Sequence, residues 1–221
     1  MSWIDYLNTV DTPTLANAIE LLEVRPHHEG FTPIEIRCLF PELGRMCGYA
    51  VTAQVETMTQ MDRRDSAVFI DLYKAVQAAP RPAVIVLQEI GGYKNYAVHC
   101  GEVMATVFTR LGAAGLVSDS AVRDIPEVRA MKFHYFARGT AASHANFRIV
   151  RVGVPVQVEG LVIQPGDILH GDENGLLLVP PGLDALLPAK VDEVRSREAE
   201  LMQYVRGSEF TLDGLRKRIV E

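Results

Sequence analysis

The sequence predicts an α/β fold in which helices pack against a sheet that includes parallel strands. Segments with helical periodicity alternate with β-rich segments along the first two thirds of the chain. In addition, residues 83–87 form a short, wholly apolar run, which is typical of a parallel strand buried on both faces. With 221 residues and no repeat or flexible linker, residues 1–221 are expected to form a single domain.

The first helix is predicted at residues 12–22, with Thr12 as its N-cap and Pro13 at its first helical position. A strand rich in β-forming residues is predicted at 47–58. The elements that follow are predicted as helices at 65–79, 103–111 and 125–131 and as strands at 83–87, 115–119 and 133–138.

The C-terminal third changes character, because short β-rich segments are separated by the residues of tight turns. We expect a meander of β-hairpins beside the α/β part. A long amphipathic C-terminal helix is predicted at about 185–205. The predicted strands are 147–158, 161–163, 168–172 and 175–179.

Composition excludes several classes of partner. The net charge of −6 argues against a general nucleic-acid binder, and the one basic cluster, Arg216-Lys217-Arg218, suits a solvated helix end. Three cysteines without a CxxC motif indicate buried thiols of a reducing compartment. Asp5 and Asp11 interrupt any apolar start, and no apolar run approaches the roughly 20 residues of a membrane span. The expectation is a cytoplasmic protein with no membrane partner.

The stretch 100–124 carries two weak chemical signals, and the first is Gly101-Glu102 ahead of a helix. A glycine there can leave the N–H groups of Val103 and Met104 unpaired, at the positive end of the helix dipole, where they can bind an anion. Most such glycines only permit a turn. Both interpretations stay open at this point.

The second signal is Arg123-Asp124, where a predicted strand gives way to a helix. Ligands bind at this edge of parallel sheets, an arginine can hold a carboxylate through two hydrogen bonds, and an aspartate can hold a hard divalent cation. The alternative is a surface ion pair of little consequence. Local sequence does not choose between them.

Other candidate sites are weaker. Asp167 and Asp172-Glu173 lie in sequences that are better explained as turns, and the histidines follow no ligand spacing. No GxSxG, P-loop or GxGxxG motif occurs, so serine-nucleophile, NTPase and dinucleotide functions lack support.

Taken together, these motifs resemble the signature of the RraA-like family, which includes metal-dependent 4-hydroxy-4-methyl-2-oxoglutarate aldolases. The resemblance covers most of residues 45–205. The motifs that carry it are Gly101-Glu102, Gly112-Ala113-Ala114-Gly115, Arg123-Asp124, Val154-Pro155-Val156 with Gly160, Pro165-Gly166-Asp167 and Asp172-Glu173-Asn174-Gly175.

The resemblance implies a swivelling β/β/α fold that assembles as a homotrimer or homohexamer with sites between subunits. It implies that residues 101–104 and Arg123 hold the carboxylate and carbonyl of pyruvate, and that Asp124 binds Mg²⁺ or Mn²⁺. The family acid matching Glu102 is often an aspartate that acts through metal-bound water. A glutamate from a neighbouring subunit's last helix also approaches such sites, and Glu198 is the best match, with Glu200 second.

This chain departs from the family pattern at two positions. Glu102 is one methylene longer than the usual aspartate, and Ser120 replaces a common glycine and therefore needs an ordinary φ. The implied function is retro-aldol cleavage of a 4-hydroxy-2-oxo acid to pyruvate, with oxaloacetate decarboxylation as a second activity of the same site. The alternative is a regulator that binds a ribonuclease without catalysis. Such regulators lack the acid matching Asp124, which favours the enzyme.

Overall fold

The computed structural model describes residues 1–58 and 66–220. The strands are β1 (Arg37–Cys38), β2 (Met46–Met58), β3 (Ala83–Glu89), β4 (Ala113–Val122), β5 (His134–Thr140), β6 (Asn146–Val152), β7 (Val156–Val158), β8 (Leu161–Ile163), β9 (Ile168–Asp172) and β10 (Gly175–Val179). The helices are α1 (Trp3–Leu7), α2 (Thr12–Glu20), α3 (Ser66–Ala78), α4 (Glu102–Arg110), α5 (Ile125–Ala130), α6 (Leu187–Arg206) and α7 (Leu212–Val220), with a short 3₁₀ turn at Pro41–Leu43.

One large mixed sheet organises the molecule, in the order β1-β5-β4-β3-β2-β9-β10. The four central strands β2 to β5 run parallel, and β1, β9 and β10 join antiparallel. The ends of the sheet approach each other, since β1 lies beside β10. The predicted α/β class is therefore confirmed, and the apolar run at 83–87 is a parallel strand within this sheet.

The two faces of β3 enter different cores, because successive side chains point to opposite sides of a strand. Ile85 and Leu87 pack in the cluster that includes Leu72 of α3 and Phe108 of α4. Val84 and its alternate neighbours pack with the β7–β8 hairpin on the other face. A third core joins α1, α2 and α6 to β10. The α3/α4 layer is the one that leads to the candidate site.

The predicted hairpin meander needs correction. The strands β9 and β10 form a hairpin but extend the main sheet, since β9 pairs with the first part of β2. The strand β6 pairs with the last part of β2. The single strand predicted at 147–158 is interrupted, because Gly153 has φ +70° and Pro155 cannot donate to a ladder.

The ends of several helices also differ from prediction. The first predicted helix, 12–22, ends at Glu20, and its N-cap is Asp11, whose carboxylate accepts from the Thr14 N–H at 2.9 Å. A short helix capped by Ser2 precedes it and was not predicted. The C-terminal helix predicted at 185–205 spans Leu187–Arg206. The predicted helix start at Asp65 lies outside the described residues.

Within residues 1–58 and 66–220, no helix combines the length and apolar character needed to cross a bilayer.

Candidate functional site

The structure brings the two ends of the stretch 100–124 together. The chain leaves β4 at Val122, and the next two residues turn back toward the first turn of α4. The Arg123 N–H donates to the Cys100 carbonyl at 3.0 Å. The Glu102 N–H donates to Asp124 Oδ2 at 2.8 Å. The start of α4 and the Arg-Asp pair therefore form one continuous site.

Gly101 is the residue that allows this close approach. It is the N-cap of α4 and has extended backbone angles, so conformational freedom is not what the position requires. A Cβ on this residue would lie 2.4 Å from Asp124 Oδ2 and 2.9 Å from Arg123 Nε, which is closer than real contacts permit. A Cβ at this position would therefore displace the Asp124 and Arg123 side chains, which occupy its space.

Asp124 has a left-handed backbone conformation, with φ 58° and ψ 48°. It occupies the N-cap position of α5, yet its side chain makes no capping bond to that helix and reaches across to α4 instead. Aspartate is among the few residues that tolerate this conformation, and such strained positions cluster at functional sites. The backbone at Asp124 therefore aims the carboxylate into the site.

Arg123 contributes the positive charge. Its Nε lies 3.4 Å from Asp124 Oδ2, and its other guanidinium nitrogens make no hydrogen bond to the described residues. The guanidinium lines a cleft of about 420 Å³ together with Gly101, Val103 and Met104. Arg123 and the start of α4 thus provide N–H donors to one cleft, which suits a carboxylate ligand.

The backbone of α4 supports the same conclusion. Within residues 1–58 and 66–220, the Val103 and Met104 N–H groups have no hydrogen-bond partner, whereas the Glu102 N–H is satisfied by Asp124. The Glu102 side chain is exposed and forms no ion pair with a described residue. Its carboxylate lies outside the cleft lining.

A divalent ion is compatible with this donor set. In the described part of the chain, no three His, Cys, Asp or Glu side chains gather as a ready set of metal ligands. Mg²⁺, however, often binds through one or two carboxylates and completes its octahedron with water and substrate oxygens. Asp124 Oδ1 accepts no hydrogen bond from the described residues. The residues present therefore fit an ion held by one carboxylate.

The comparisons with known proteins identify the family. The model of the RraA-like family, described as Aldolase/RraA, matches residues 12–178. The chain belongs to the RraA-like family.

Three of the similar proteins show the range of sequence identity and structural similarity. A protein of Halalkalibacterium halodurans, named provisionally as a 4-hydroxy-4-methyl-2-oxoglutarate aldolase, is 30% identical over 71% of this chain and 72% of its own. An uncharacterised Pseudomonas syringae protein superposes with a TM-score of 0.74 at 26% identity, covering 97% and 92% of the two chains. Streptomyces coelicolor RraAS2, titled an unusual member of the RNase ES inhibitor RraA family, gives 0.69 at 23% identity, covering 93% and 96%. These neighbours confirm the expected RraA-like fold.

In this RraA-like chain, the two candidate glutamates, Glu198 and Glu200, are on α6 and do not line the cleft. Glu198 accepts from Asn17 Nδ2 of α2 at 3.4 Å. Their approach to the site of a neighbouring subunit stays a prediction.

Ser120 is accommodated by a bulge in β4. Two residues of β4, Asp119 and Ser120, oppose one residue of β5 between the Ser118–Ala137 and Ala121–Gly139 pairs. Ser120 is buried, does not have a positive φ, and donates its N–H to Ser118 Oγ at 3.0 Å. Its own hydroxyl has no partner among the described residues.

A buried polar network beneath the site was not predicted from the sequence. The Glu89 carboxylate, at the end of β3, accepts from Thr57 Oγ1 at 2.6 Å and from His99 Nε2 at 3.2 Å. His99 Nδ1 lies 2.9 Å from Ser118 Oγ. Burial alone raises the pKa of Glu89, but the hydrogen bonds from His99 and Thr57 outweigh it and hold the pKa below its ordinary value. This network fixes the segment that leads into Gly101.

Asp119 extends the network on the other side of β4. It accepts from the Glu89 N–H at 2.7 Å and pairs with Lys94 Nζ at 3.0 Å, and Lys94 also contacts Glu159 at 3.1 Å. Burial raises the pKa of the Asp119 carboxyl despite Lys94. The one signal in the sequence was the acid Glu89, two positions after the apolar run 83–87.

The rival acidic positions are turn residues, as predicted. Asp167 Oδ2 accepts from the Gln164 N–H at 2.7 Å. Asp172 Oδ1 accepts from the Asn174 N–H at 2.8 Å, and its other oxygen accepts from the Thr12 N–H at 2.8 Å. These carboxylates stabilise chain reversals and the start of α2.

Proposed function

We propose that this chain is a divalent-metal-dependent carbon–carbon lyase that cleaves a 4-hydroxy-2-oxo acid to pyruvate and a second carbonyl compound. The observation that carries the proposal is the junction of Gly101, Arg123 and Asp124, in which Asp124 Oδ2 is bonded to the Glu102 N–H at 2.8 Å. The naming of the Halalkalibacterium halodurans relative supports it.

The reaction breaks the bond between C3 and C4 of the substrate. The hydroxyl on C4 loses its proton and becomes a carbonyl, while the electron pair of the broken bond moves to C3 and gives the enolate of pyruvate. Protonation of C3 then releases pyruvate. The same enolate forms when oxaloacetate loses carbon dioxide, so oxaloacetate decarboxylation is proposed as a second activity.

The chain's own residues bind and orient the 2-oxo acid half. Arg123 and the free N–H groups of Val103 and Met104 hold the substrate carboxylate, and their fixed positive potential lies where negative charge develops. Asp124 would hold Mg²⁺ or Mn²⁺, which supplies Lewis-acid stabilisation of the oxo group. Glu102 is exposed at the start of α4 and lies outside the cleft lining, so its proposed role is to accept or return a proton through an intervening water.

The test is pyruvate release from a panel of 4-hydroxy-2-oxo acids and from oxaloacetate, with Mg²⁺, with Mn²⁺ and with EDTA. Asp124→Ala should abolish the metal-dependent release. Arg123→Ala should lower kcat/KM by about a hundredfold to a thousandfold, as removal of a transition-state donor does. Arg110→Ala, at an exposed arginine at the C-terminal end of α4, should leave turnover unchanged.

If wild type and Asp124→Ala are equally inert toward the whole panel, the lyase proposal fails. Binding to a ribonuclease would then be the next measurement, because a structural neighbour is titled as a member of an RNase inhibitor family.

A further inference from the structure

Apart from Arg123, His144 and the backbone of Gly101, the described residues that line the cleft are mainly apolar. Residues Phe69, Ile70 and Tyr73 of α3 contribute one part, and Met104 and Phe147 contribute another. The Phe69 and Phe147 rings meet edge to face, with centroids 5.6 Å apart. Burial raises the pKa of the Tyr73 hydroxyl, which keeps that group neutral at physiological pH.

Among the described lining residues of the cleft, Arg123 is the one with a permanent charge, and it lies against Gly101 and Asp124. His144 also lines the cleft and is exposed, in the segment before β6. One carboxylate therefore finds a permanent cation at Arg123, whereas a second carboxylate beside Phe69, Ile70 and Phe147 would lose part of its hydration.

The size of the cleft allows a bulky group. A cavity of about 150 Å³ is enough to hold benzene. The cleft of about 420 Å³ therefore has room for a 2-oxo acid unit at Arg123 and a ring or branched chain beyond it.

We infer that this cleft selects 2-oxo acids whose second half is apolar, a phenyl group or a branched alkyl chain, over dicarboxylates. The inference rests on the proposed function for the role of the 2-oxo acid half. It assigns Phe69, Ile70, Tyr73 and Phe147 as the residues that determine specificity.

Equilibrium binding tests the inference independently of catalysis. The two ligands are 2-oxo-4-phenylbutanoate and 2-oxoglutarate, which share four carbons of chain and end in a phenyl group or a carboxylate. Calorimetry with and without Mg²⁺ should show the phenyl ligand binding about tenfold tighter or more, because its ring is removed from water. Equal or tighter binding of 2-oxoglutarate, or no binding of either, overturns the inference.

A positive charge introduced into the apolar wall of the cleft (Phe69, Ile70, Tyr73 and Phe147) should reverse the preference for the phenyl ligand. Ile70 is 51% exposed, so Ile70→Arg can be accommodated, and the new guanidinium should favour 2-oxoglutarate and weaken the phenyl ligand. Ile34→Arg, at a residue that is 84% exposed and outside the cleft, is the matched control. If Ile70→Arg keeps the wild-type preference, the cleft does not contact the second half of the ligand and the inference fails.

Pyruvate release from matched 4-hydroxy-2-oxo acids separates this inference from the proposed function. Preferred cleavage of dicarboxylates would overturn the inference and leave the lyase intact. Tighter binding of the phenyl ligand without turnover of any acid would support the inference and overturn the lyase.

Discussion

At the scale of single residues, the site depends on contacts that leave no free space. Gly101, Arg123 and Asp124 fill one small volume, and the left-handed conformation of Asp124 is needed to aim its carboxylate at the start of α4. Spacing in the sequence could suggest that these residues meet. It could not show that Asp124, at the N-cap of α5, forms its hydrogen bond with α4 and none with α5, because that arrangement depends on the backbone conformation of one residue.

Gly101→Ala tests this crowding. The added Cβ must displace Asp124 or Arg123, so we expect a loss of about 1–3 kcal/mol of unfolding free energy. Displacement of functional groups by about 1 Å should also lower pyruvate release about a hundredfold. Urea unfolding and steady-state kinetics measure the two effects.

Gly139→Ala is the matched control, because a Cβ there meets nothing within 4 Å and the residue does not have a positive φ. Its effect should stay within about 0.5 kcal/mol. Equal effects of the two substitutions would show that the close approach at Gly101 is unimportant.

At the scale of elements, the N-terminal helices are fastened to the sheet by a buried histidine. His170 of β9 lies with Nε2 3.1 Å from the Leu7 carbonyl and Nδ1 3.0 Å from Thr12 Oγ1. A carbonyl can only accept, so Nε2 carries a proton, and in the neutral ring Nδ1 accepts from the Thr12 hydroxyl. The ring joins the end of α1 and the start of α2 to the same strand.

This contact predicts a pH dependence of stability. Burial lowers the pKa of His170 to about 4, from 6.5 in the unfolded chain. Between these values the unfolded chain binds more protons, so the unfolding free energy is highest above pH 6.5 and falls as the pH decreases toward 4. The contribution of this one group is about 3 kcal/mol.

His170→Gln should flatten that slope, which chemical denaturation at pH 7, 5.5 and 4.5 would measure. His28→Gln, at a largely exposed histidine, should leave the slope as in wild type. An unchanged slope in His170→Gln would mean that another group causes any loss of stability over this range.

Strands bounded by local turns could be predicted from the sequence, whereas the pairing of strands distant in sequence could not. The strands at 161–163, 168–172 and 175–179 coincide with prediction, since Gly160, Gly166 and Gly175 have positive φ and fix the turns locally. The pairing of β9 with β2 depends on residues more than a hundred positions apart, and no local signal encodes it. The cleft wall was missed for the same reason, because Tyr73 and Phe147 are brought together only by the sheet.

At the scale of the whole molecule, the C-terminal helices extend from the body. The described side chains from 195 to 219 are mostly exposed, and the segment 210–219 carries the exposed apolar groups Phe210, Leu212 and Ile219. Leu212 is 75% exposed and Ile219 is 63% exposed. Exposed apolar groups in a contiguous segment mark a surface for association.

The resemblance to the RraA-like family implies a homotrimer or homohexamer, so we predict a mass in solution three or six times the 24.4 kDa of one chain. Light scattering coupled to size exclusion measures this mass. The double substitution Leu212→Glu and Ile219→Glu should lower the mass toward that of one chain, because association would bury two carboxylates against apolar surface.

Ile34→Glu places the same charge on an exposed residue outside these helices and should leave the mass unchanged. A monomeric wild-type protein at micromolar concentration would contradict the prediction and would also remove the expected contribution of Glu198 from a neighbouring subunit.

The junction at Gly101 has a consequence for how such a site can diversify. The proposed carboxylate-binding end is made by one continuous stretch of chain, 100–124, closed on itself by the bond from the Glu102 N–H to Asp124. The apolar wall comes mainly from α3 and β6, which belong to other parts of the sequence. Mutations in the wall can therefore change the accepted substrate while the reactive end is inherited intact, so an engineer could graft or randomise one module without redesigning the other.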